Sequence, residues 1–315
     1  MNEDDVARSG QLALLLEVSA YPKPGNVSRT HDFAETSYEH FLASAVAVYP
    51  VLREAAARGF AWKEGGGVGV REGVRVRVGV GELVRRAVEE SVAWQSGGNT
   101  HFGALLLLVP LAVAAGAEAC ENCEPDLDPG LLKRRAEEVV QNTSVEDAVE
   151  LYRAFPKAKV KVRAGVPEFD LTDAGGVREI RASGKSLHEI LEISASYDLI
   201  SRELVGGFEK TFRYAELLKD WIKNKDKERR VNDAVTNAYL RLLSEERDTF
   251  VEMKFGAEKS ESVRRRAEEI VNSGCKRGEV EEFDEELIKA GVNPGSTADI
   301  IAAALFVALL GGLRV

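Results

Sequence analysis

The chain has 315 residues, of which 44% are hydrophobic and 30% charged, which is typical of a globular protein with a sizeable core. Lys and Arg number 42 against 52 Asp and Glu, so the formal charge of −10 argues against a protein whose main partner is nucleic acid. Three cysteines in so long a chain exclude the disulfide framework of a small secreted domain and favour a reducing, cytoplasmic location.

The first predicted helix ends in a proline-rich loop. The N-terminal residues MNEDDVARSG lack the regions of a signal peptide, so no export is expected. Apolar residues at helical spacing predict a helix over Asp5–Val18, which Pro22 and Pro24 prevent from continuing. Lys23 lies between these prolines, and its restricted backbone would present an ammonium group to an anion at reduced entropic cost. A turn with a solvated lysine is the alternative.

Two helices and a hairpin are predicted next. Helical patterns cover Ser37–Arg58 and Gly81–Gln95, and between them valines alternate with Gly, Arg and Glu. Because strict alternation is typical of strands, we expect a small β-hairpin insertion over 66–80.

A glycine-bearing segment then precedes a long apolar run. Backbone N–H groups and the dipole of a helix that starts after Gly98 would bind a phosphate. Asn99 or Thr100 can equally be only the N-cap of that helix. The apolar runs Ala104–Ala117 and Ile300–Leu313 are shorter than the roughly 20 residues of a membrane-spanning helix. We therefore expect two buried helices and no membrane association.

Helical patterns dominate the rest of the chain. They cover Lys133–Phe155, Ser186–Val205, Phe208–Asn224, Val231–Ser244, Ser260–Asn272, Phe283–Ala290 and Ala298–Leu310. The segment Lys157–Lys185 is the least periodic and is expected to be irregular or a second hairpin. The fold class is therefore predicted to be mainly α, a multi-helix single core in one domain over 1–315.

Two later segments place polar residues at predicted helix ends. Asp248 and Lys254 bracket a short apolar turn. Ser296 and Asp299 have the spacing of a capping box at the start of the last apolar helix. A carboxylate in a first helical turn is expected for stability alone, so a purely structural role competes with a functional one.

The order of these polar segments resembles the triphosphoribosyl-dephospho-CoA synthase family. The resemblance runs from about residue 10 to the C-terminus and rests on Glu17 with Tyr21–Val27, Gly98–Gly103, Asp248 and Thr249 with Lys254 and Gly256, and Pro294–Asp299. It implies a mainly helical, cytoplasmic enzyme. In the family's type reaction, the ribose 2′-hydroxyl of 3′-dephospho-CoA displaces adenine from C1′ of ATP. The product is the prosthetic-group precursor of citrate and malonate lyase-type carrier proteins.

The resemblance also implies roles for individual residues. It assigns the binding of ATP to Lys23, Gly25, Asn26, Gly98, Thr100, Lys254 and Ser296. It assigns oxygen ligands of Mg²⁺ to Asp198, Asp248 and Asp299, and catalysis to Glu17, His101 and Asn99. The implied partners are small nucleotide substrates, and a homo-oligomer is compatible with the pattern. For Asp198, an ion pair with Arg202 is the structural alternative.

Some segments depart from the citrate-lyase members. Phe102 stands where those members commonly have lysine. The segment Ser194–Arg202, with Gly206–Phe208 after it, is closer to the branch found beside tetrahydromethanopterin biosynthesis genes. The alternatives are therefore a related phosphoribosyl-type transfer in that biosynthesis, or a nucleotide-binding helical protein without catalysis.

Overall fold

The architecture was taken from a computed structural model, which describes residues 1–33, 35–64, 70–71, 74–75, 78–122, 125–158, 175–223 and 231–315. The first helices are α1 (Glu3–Ser19), α2 (Tyr38–Ala47), α3 (Tyr49–Glu64), α4 (Val80–Ala93), α5 (Phe102–Asn122), α6 (Pro129–Gln141), α7 (Val145–Ala158) and α8 (Gly176–Ser183). The others are α9 (Leu187–Ser194), α10 (Leu199–Val205), α11 (Glu209–Lys223), α12 (Val231–Glu245), α13 (Thr249–Phe255), α14 (Ala257–Asn272), α15 (Arg277–Lys289) and α16 (Gly295–Leu310). The mainly helical prediction is confirmed.

Two apolar helices lie at the centre of the core. Helix α5 packs against α3, α6 and α16, and α16 packs against α1 and α11. The stretch Phe102–Ala119 is long and apolar enough to cross a membrane, but 89% of it is buried inside the protein. That burial is typical of a core helix, because a helix facing lipid would leave its apolar surface uncovered by protein. Both central helices start at the glycine-bearing segments.

Two predicted helices are each divided in the structure. The predicted helix over Ser37–Arg58 is α2 and α3, with Val48 between them. Pro50 explains this division, because proline is tolerated in the first turn of a helix but not in its interior. The predicted helix over Ser186–Val205 is α9 and α10, and Asp198 caps α10.

The remaining differences concern short elements. The predicted turn after Asp248 is the helix α13. Strands β1 (Val70–Arg71) and β2 (Val74–Arg75) pair antiparallel, but most of the segment 66–80 lies outside the described residues, so a hairpin of the predicted length is not supported. Residues 159–174 of the irregular segment also lie outside them, and the residues after these form α8.

Candidate active site

A cavity of about 1020 Å³ gathers most of the predicted site residues. Its polar wall comes from the end of α1, the segments before α5 and α16, and α13, and its apolar wall comes from α7, α8 and α9. The predicted site residues that line it are Glu17, Asn26, Gly98, Asn99, Thr100, His101, Asp198, Lys254, Ser296 and Asp299. Lys23, Gly25 and Asp248 do not line it, so the cavity lining does not support their predicted contacts with ATP or Mg²⁺.

Lys23 is fully buried, and its ammonium group contacts another side chain of the protein. Its Nζ donates to the backbone O of Glu17 at 2.9 Å and to the Glu17 carboxylate. Burial raises the pKa of Glu17 and lowers that of Lys23, and the attraction between the two groups offsets part of each shift. The burial contradicts the solvated-lysine alternative. The phosphate contact stays a prediction, and this geometry does not favour it. Lys23 instead supports Glu17 from behind the cavity wall.

Gly25 has a structural role. Its φ of +72° favours glycine, and a Cβ at this position would overlap the backbone O of Val292. Its N–H donates to Oδ1 of the buried Asp284 at 2.9 Å, and Oδ2 of Asp284 lies 2.7 Å from Nδ1 of His31. Asp284 thus holds the proline-rich loop in place. Asp284 could not be predicted from the sequence, because an acidic residue in an amphipathic helix is normally solvated.

Asn26 links the first polar segment to the last. Its Nδ2 donates to Oδ1 of Asn293 at 2.9 Å, and Asn26 is buried. The Oγ of Ser296 lies 3.3 Å from Oγ1 of Thr249, which accepts a hydrogen bond from the N–H of Leu199. These hydrogen bonds join segments from distant parts of the chain at one end of the cavity.

The segment before α5 caps that helix. Oδ1 of Asn99 accepts a hydrogen bond from the N–H of Phe102 at 3.1 Å, which supports the capping interpretation. The Asn99 residue is nevertheless exposed and lines the cavity. Gly98 has a φ of +74° and no atom stands where its Cβ would lie, so its backbone is open towards the cavity.

His101 is buried beside a cluster of hydroxyl groups. Its Nδ1 lies 2.9 Å from Oγ of Ser44, which is itself 2.6 Å from Oγ of Ser91 and accepts a hydrogen bond from Thr100. The Nε2 atom of His101 is buried and has no hydrogen-bond partner. Burial, with the nearby positive charge of Lys23, lowers the pKa of His101 to about 3. Ser44 and Ser91 were missed because only their placement on the inner faces of α2 and α4 reveals them.

The low pKa of His101 predicts an acid-dependent loss of stability. Unfolded His101 binds a proton near pH 6.5, whereas the folded protein binds one only near pH 3. We therefore expect its contribution to the free energy of unfolding to be fully present above pH 6.5 and to fall by up to about 1.4 kcal/mol per pH unit below it. Urea titrations from pH 4 to 8 would measure this loss. The His101→Asn variant should show a shallower decline, and an identical decline in both proteins would contradict the burial of a neutral imidazole.

Asp299 packs directly against the N-terminus of α5. A Cβ on Gly103 would overlap Oδ2 of Asp299, so the close approach depends on glycine at that position. The carboxylate accepts a hydrogen bond from the N–H of Ala104, yet its pKa is raised well above the ordinary value by burial and by the carboxylates of Glu17, Asp248 and Asp198. The site therefore concentrates negative charge around Asp299.

Asp248 is a cap that joins two helices. Its Oδ1 accepts from the N–H groups of Phe250 and Val251, and its Oδ2 accepts from the N–H and Oγ1 of Thr297. Burial raises its pKa to about 6 even though these hydrogen bonds oppose the shift. The four donors occupy the lone pairs that a cation would need. The geometry thus favours a structural role over the predicted Mg²⁺ contact.

Asp198 and Lys254 lie at the edge of the cavity. Oδ2 of Asp198 accepts from the N–H and Oγ of Ser201, both at 2.7 Å, and Asp198 also lines the cavity. The expected alternative partner, Arg202, lies 3.6 Å from Glu246 instead. The Nζ of the exposed Lys254 lies 4.0 Å from the centroid of the Phe250 ring.

No cluster of three or more His, Cys, Asp or Glu side chains suited to a metal ion occurs among the described residues. Mg²⁺ in nucleotide enzymes is commonly held by one or two carboxylates together with substrate phosphates. Asp198 and Asp299 both line the cavity and would supply two such carboxylates. Two carboxylates of this kind suit an ion that is also coordinated by substrate phosphates.

Comparisons with known proteins show the family to which the chain belongs. Residues 3–314 match the CitG family, ATP:dephospho-CoA triphosphoribosyl transferase. A Pseudomonas savastanoi pv. phaseolicola protein named as a 2-(5″-triphosphoribosyl)-3′-dephosphocoenzyme-A synthase is 26% identical over 302 residues, which are 94% of this chain and 87% of that protein. A crystal structure from Archaeoglobus fulgidus, assigned as a triphosphoribosyl-dephospho-CoA synthase, has 29% identity and a TM-score of 0.64, covering 87% of this chain and all of that one. The chain therefore belongs to the ATP:dephospho-CoA triphosphoribosyl transferase family, whose members are transferases that use ATP as a substrate.

Proposed function

We propose that the polar end of the cavity binds the triphosphate of ATP between the N-termini of α5 and α16. The observation that carries this proposal is the convergence of Asn99, Ser296 and Asp299, which are distant in sequence, on one cavity. Helix N-termini bind phosphate groups through free N–H groups and the helix dipole. The open backbone at Gly98 and the cavity-lining Thr100 add further polar groups, and Lys254 adds positive charge.

Asp299 and Asp198 would hold Mg²⁺ together with the phosphates. An added cation is favourable here because neighbouring carboxylates already raise the pKa of Asp299. The ion would neutralise part of the triphosphate charge. Asp248 is left out of this ligand set because Thr297 and the α13 backbone occupy its oxygens.

The reaction itself exchanges one bond at C1′ of ATP for another. The 2′-oxygen of dephospho-CoA forms a bond to C1′, the C1′–N9 bond breaks, and adenine leaves with the bonding electron pair. The acceptor hydroxyl loses one proton and adenine gains one, so no other reactant is required. The protein must therefore accept one proton, return one to adenine and stabilise an oxocarbenium-like transition state.

Glu17 is the better candidate for the proton acceptor. Burial raises its pKa, which brings a carboxylate closer to the working pH, and Lys23 holds it at the cavity wall. His101 has a pKa of about 3 and is too weak a base at neutral pH. We therefore assign His101 the role of a neutral hydrogen-bonding group, positioned by Ser44.

The test is adenine release by the purified protein. Incubation with ATP, Mg²⁺ and dephospho-CoA should give free adenine and one equivalent of the triphosphoribosylated acceptor, both measured by chromatography and mass spectrometry. An acceptor that lacks the 2′-hydroxyl should give neither. Adenine release only with a different acceptor would support the alternative transfer in tetrahydromethanopterin biosynthesis. ATP binding without adenine release under any of these conditions would support a non-catalytic nucleotide-binding protein.

A further inference from the structure

One wall of the cavity is apolar, and we call the space beside it the apolar chamber. We define this chamber by six side chains on α7, α8 and α9, namely Leu151, Phe155, Ile180, Ile190, Leu191 and Ile193. Three consecutive helices thus present aliphatic and aromatic side chains to one open space. Of these six residues, only Ile180 lies in Lys157–Lys185, the least periodic segment of the sequence.

The chamber is poorly suited to the groups that the polar end would bind. A triphosphate and a metal ion need hydrogen-bond donors and charged ligands, and moving them against aliphatic side chains would be costly. Apolar walls with a few polar groups at one end are instead typical of sites that bury an extended organic ligand. An apolar cavity that remained empty would also forfeit the packing of its lining.

The two substrates differ in the group that such walls can bury. ATP has only its adenine ring, whereas dephospho-CoA has an adenosine diphosphate and, in addition, a pantetheine arm with a geminal dimethyl group and several methylenes. Burial of each methylene from water is favourable, so an aliphatic chamber selects for the arm. Attachment of the arm to the diphosphate would let it enter the chamber while the ribose hydroxyl faces the polar end.

We propose that the chamber between α7 and α9 binds the pantetheine arm of the acceptor and thereby selects dephospho-CoA over acceptors without the arm. This inference rests on the proposed function, because it assigns a place to the acceptor of that reaction. It adds the specificity-determining residues Ile190 and Ile193, to which neither the order of the polar segments nor the family description points. Both side chains are only partly buried, so polar substitutions there are compatible with folding.

The experiment compares the binding of dephospho-CoA and ADP by calorimetry in the absence of ATP. ADP contains the same adenosine diphosphate but lacks the arm. We expect Ile190→Gln and Ile193→Gln each to weaken dephospho-CoA binding by about tenfold or more and to leave ADP binding within twofold of the parent protein. Ile193→Trp, which fills the chamber, should act in the same direction. Leu217→Gln is the matched control, because Leu217 is also partly buried but lies on α11 outside the cavity.

The possible outcomes test the chamber assignment and the proposed catalytic activity separately. Equal weakening of both ligands, or no weakening of either, would overturn the assignment of the chamber. Weaker binding of ATP with unchanged dephospho-CoA would place the adenine of ATP there and would also overturn it. If adenine is never released but the Ile190 and Ile193 variants still lose dephospho-CoA selectively, the catalytic proposal fails and the chamber assignment stands. Thermal unfolding of every variant verifies that the fold is intact.

Discussion

Replacement of Lys23 by methionine is expected to lower the free energy of unfolding by about 3–5 kcal/mol. Lys23 is fully buried, and its ammonium group donates to both the backbone and the carboxylate of Glu17. Methionine fills a similar volume but leaves Glu17 with an unpaired buried charge or forces it to take up a proton. Urea denaturation at pH 7 would measure the loss.

A second change separates the ion pair from other effects of the substitution. Adding Glu17→Gln to Lys23→Met should recover part of the lost stability, because the charge left without a partner is then removed. The exposed Lys289→Met change is the control and should alter stability by less than about 0.5 kcal/mol. Near-normal stability of Lys23→Met, accompanied by a large increase in the KM for ATP, would instead restore the predicted phosphate contact.

The convergence of the polar segments could be predicted from the sequence, but the direction of individual side chains could not. The Pro-Lys-Pro pattern correctly identified a constrained loop at Lys23. A restricted backbone, however, does not determine whether the side chain points outward to a ligand or inward to Glu17. That choice depends on the packing of α1 against the loop, which no local pattern contains.

Asp248 and Asp299 also show that the sequence does not determine the contacts of a side chain. Asp248 and Asp299 have similar local settings, and the sequence assigned both to Mg²⁺. In the structure, Thr297 and the α13 backbone saturate Asp248, whereas Asp299 lines the cavity beside Gly103. Only the tertiary arrangement of α16 against α5 and α13 distinguishes them.

Some helix boundaries could be predicted from the local sequence, whereas others depend on tertiary contacts. Apolar periodicity predicted α1 and α4 well, and continuous apolar runs predicted α5 and α16, because all four helices are long. Short helices such as α13 were missed, since so few residues carry almost no periodic signal. Helix α13 starts at its cap, Asp248. The Asp248 carboxylate is held by Thr297, which is 49 residues further along the chain.

Asp299→Asn is expected to lower kcat/KM for ATP by about 10²- to 10³-fold, or roughly 3–4 kcal/mol of transition-state stabilisation. Asparagine removes the negative charge that would hold Mg²⁺ but can still accept the hydrogen bond from the N–H of Ala104. Because burial and the nearby carboxylates of Glu17 and Asp198 disfavour the charge on Asp299, stability should stay the same or increase.

Steady-state kinetics across a series of Mg²⁺ concentrations would separate the metal role of Asp299 from a capping role. If Asp299 binds the ion, the variant should need more Mg²⁺ for half-maximal activity, whereas loss of a cap would lower the melting temperature without that shift. Asp220→Asn makes the same chemical change on the exposed side of α11, outside the cavity, and should leave both measurements unaltered. Turnover of Asp299→Asn within twofold of the parent, at every Mg²⁺ concentration, would show that the carboxylate serves only the junction between α16 and α5.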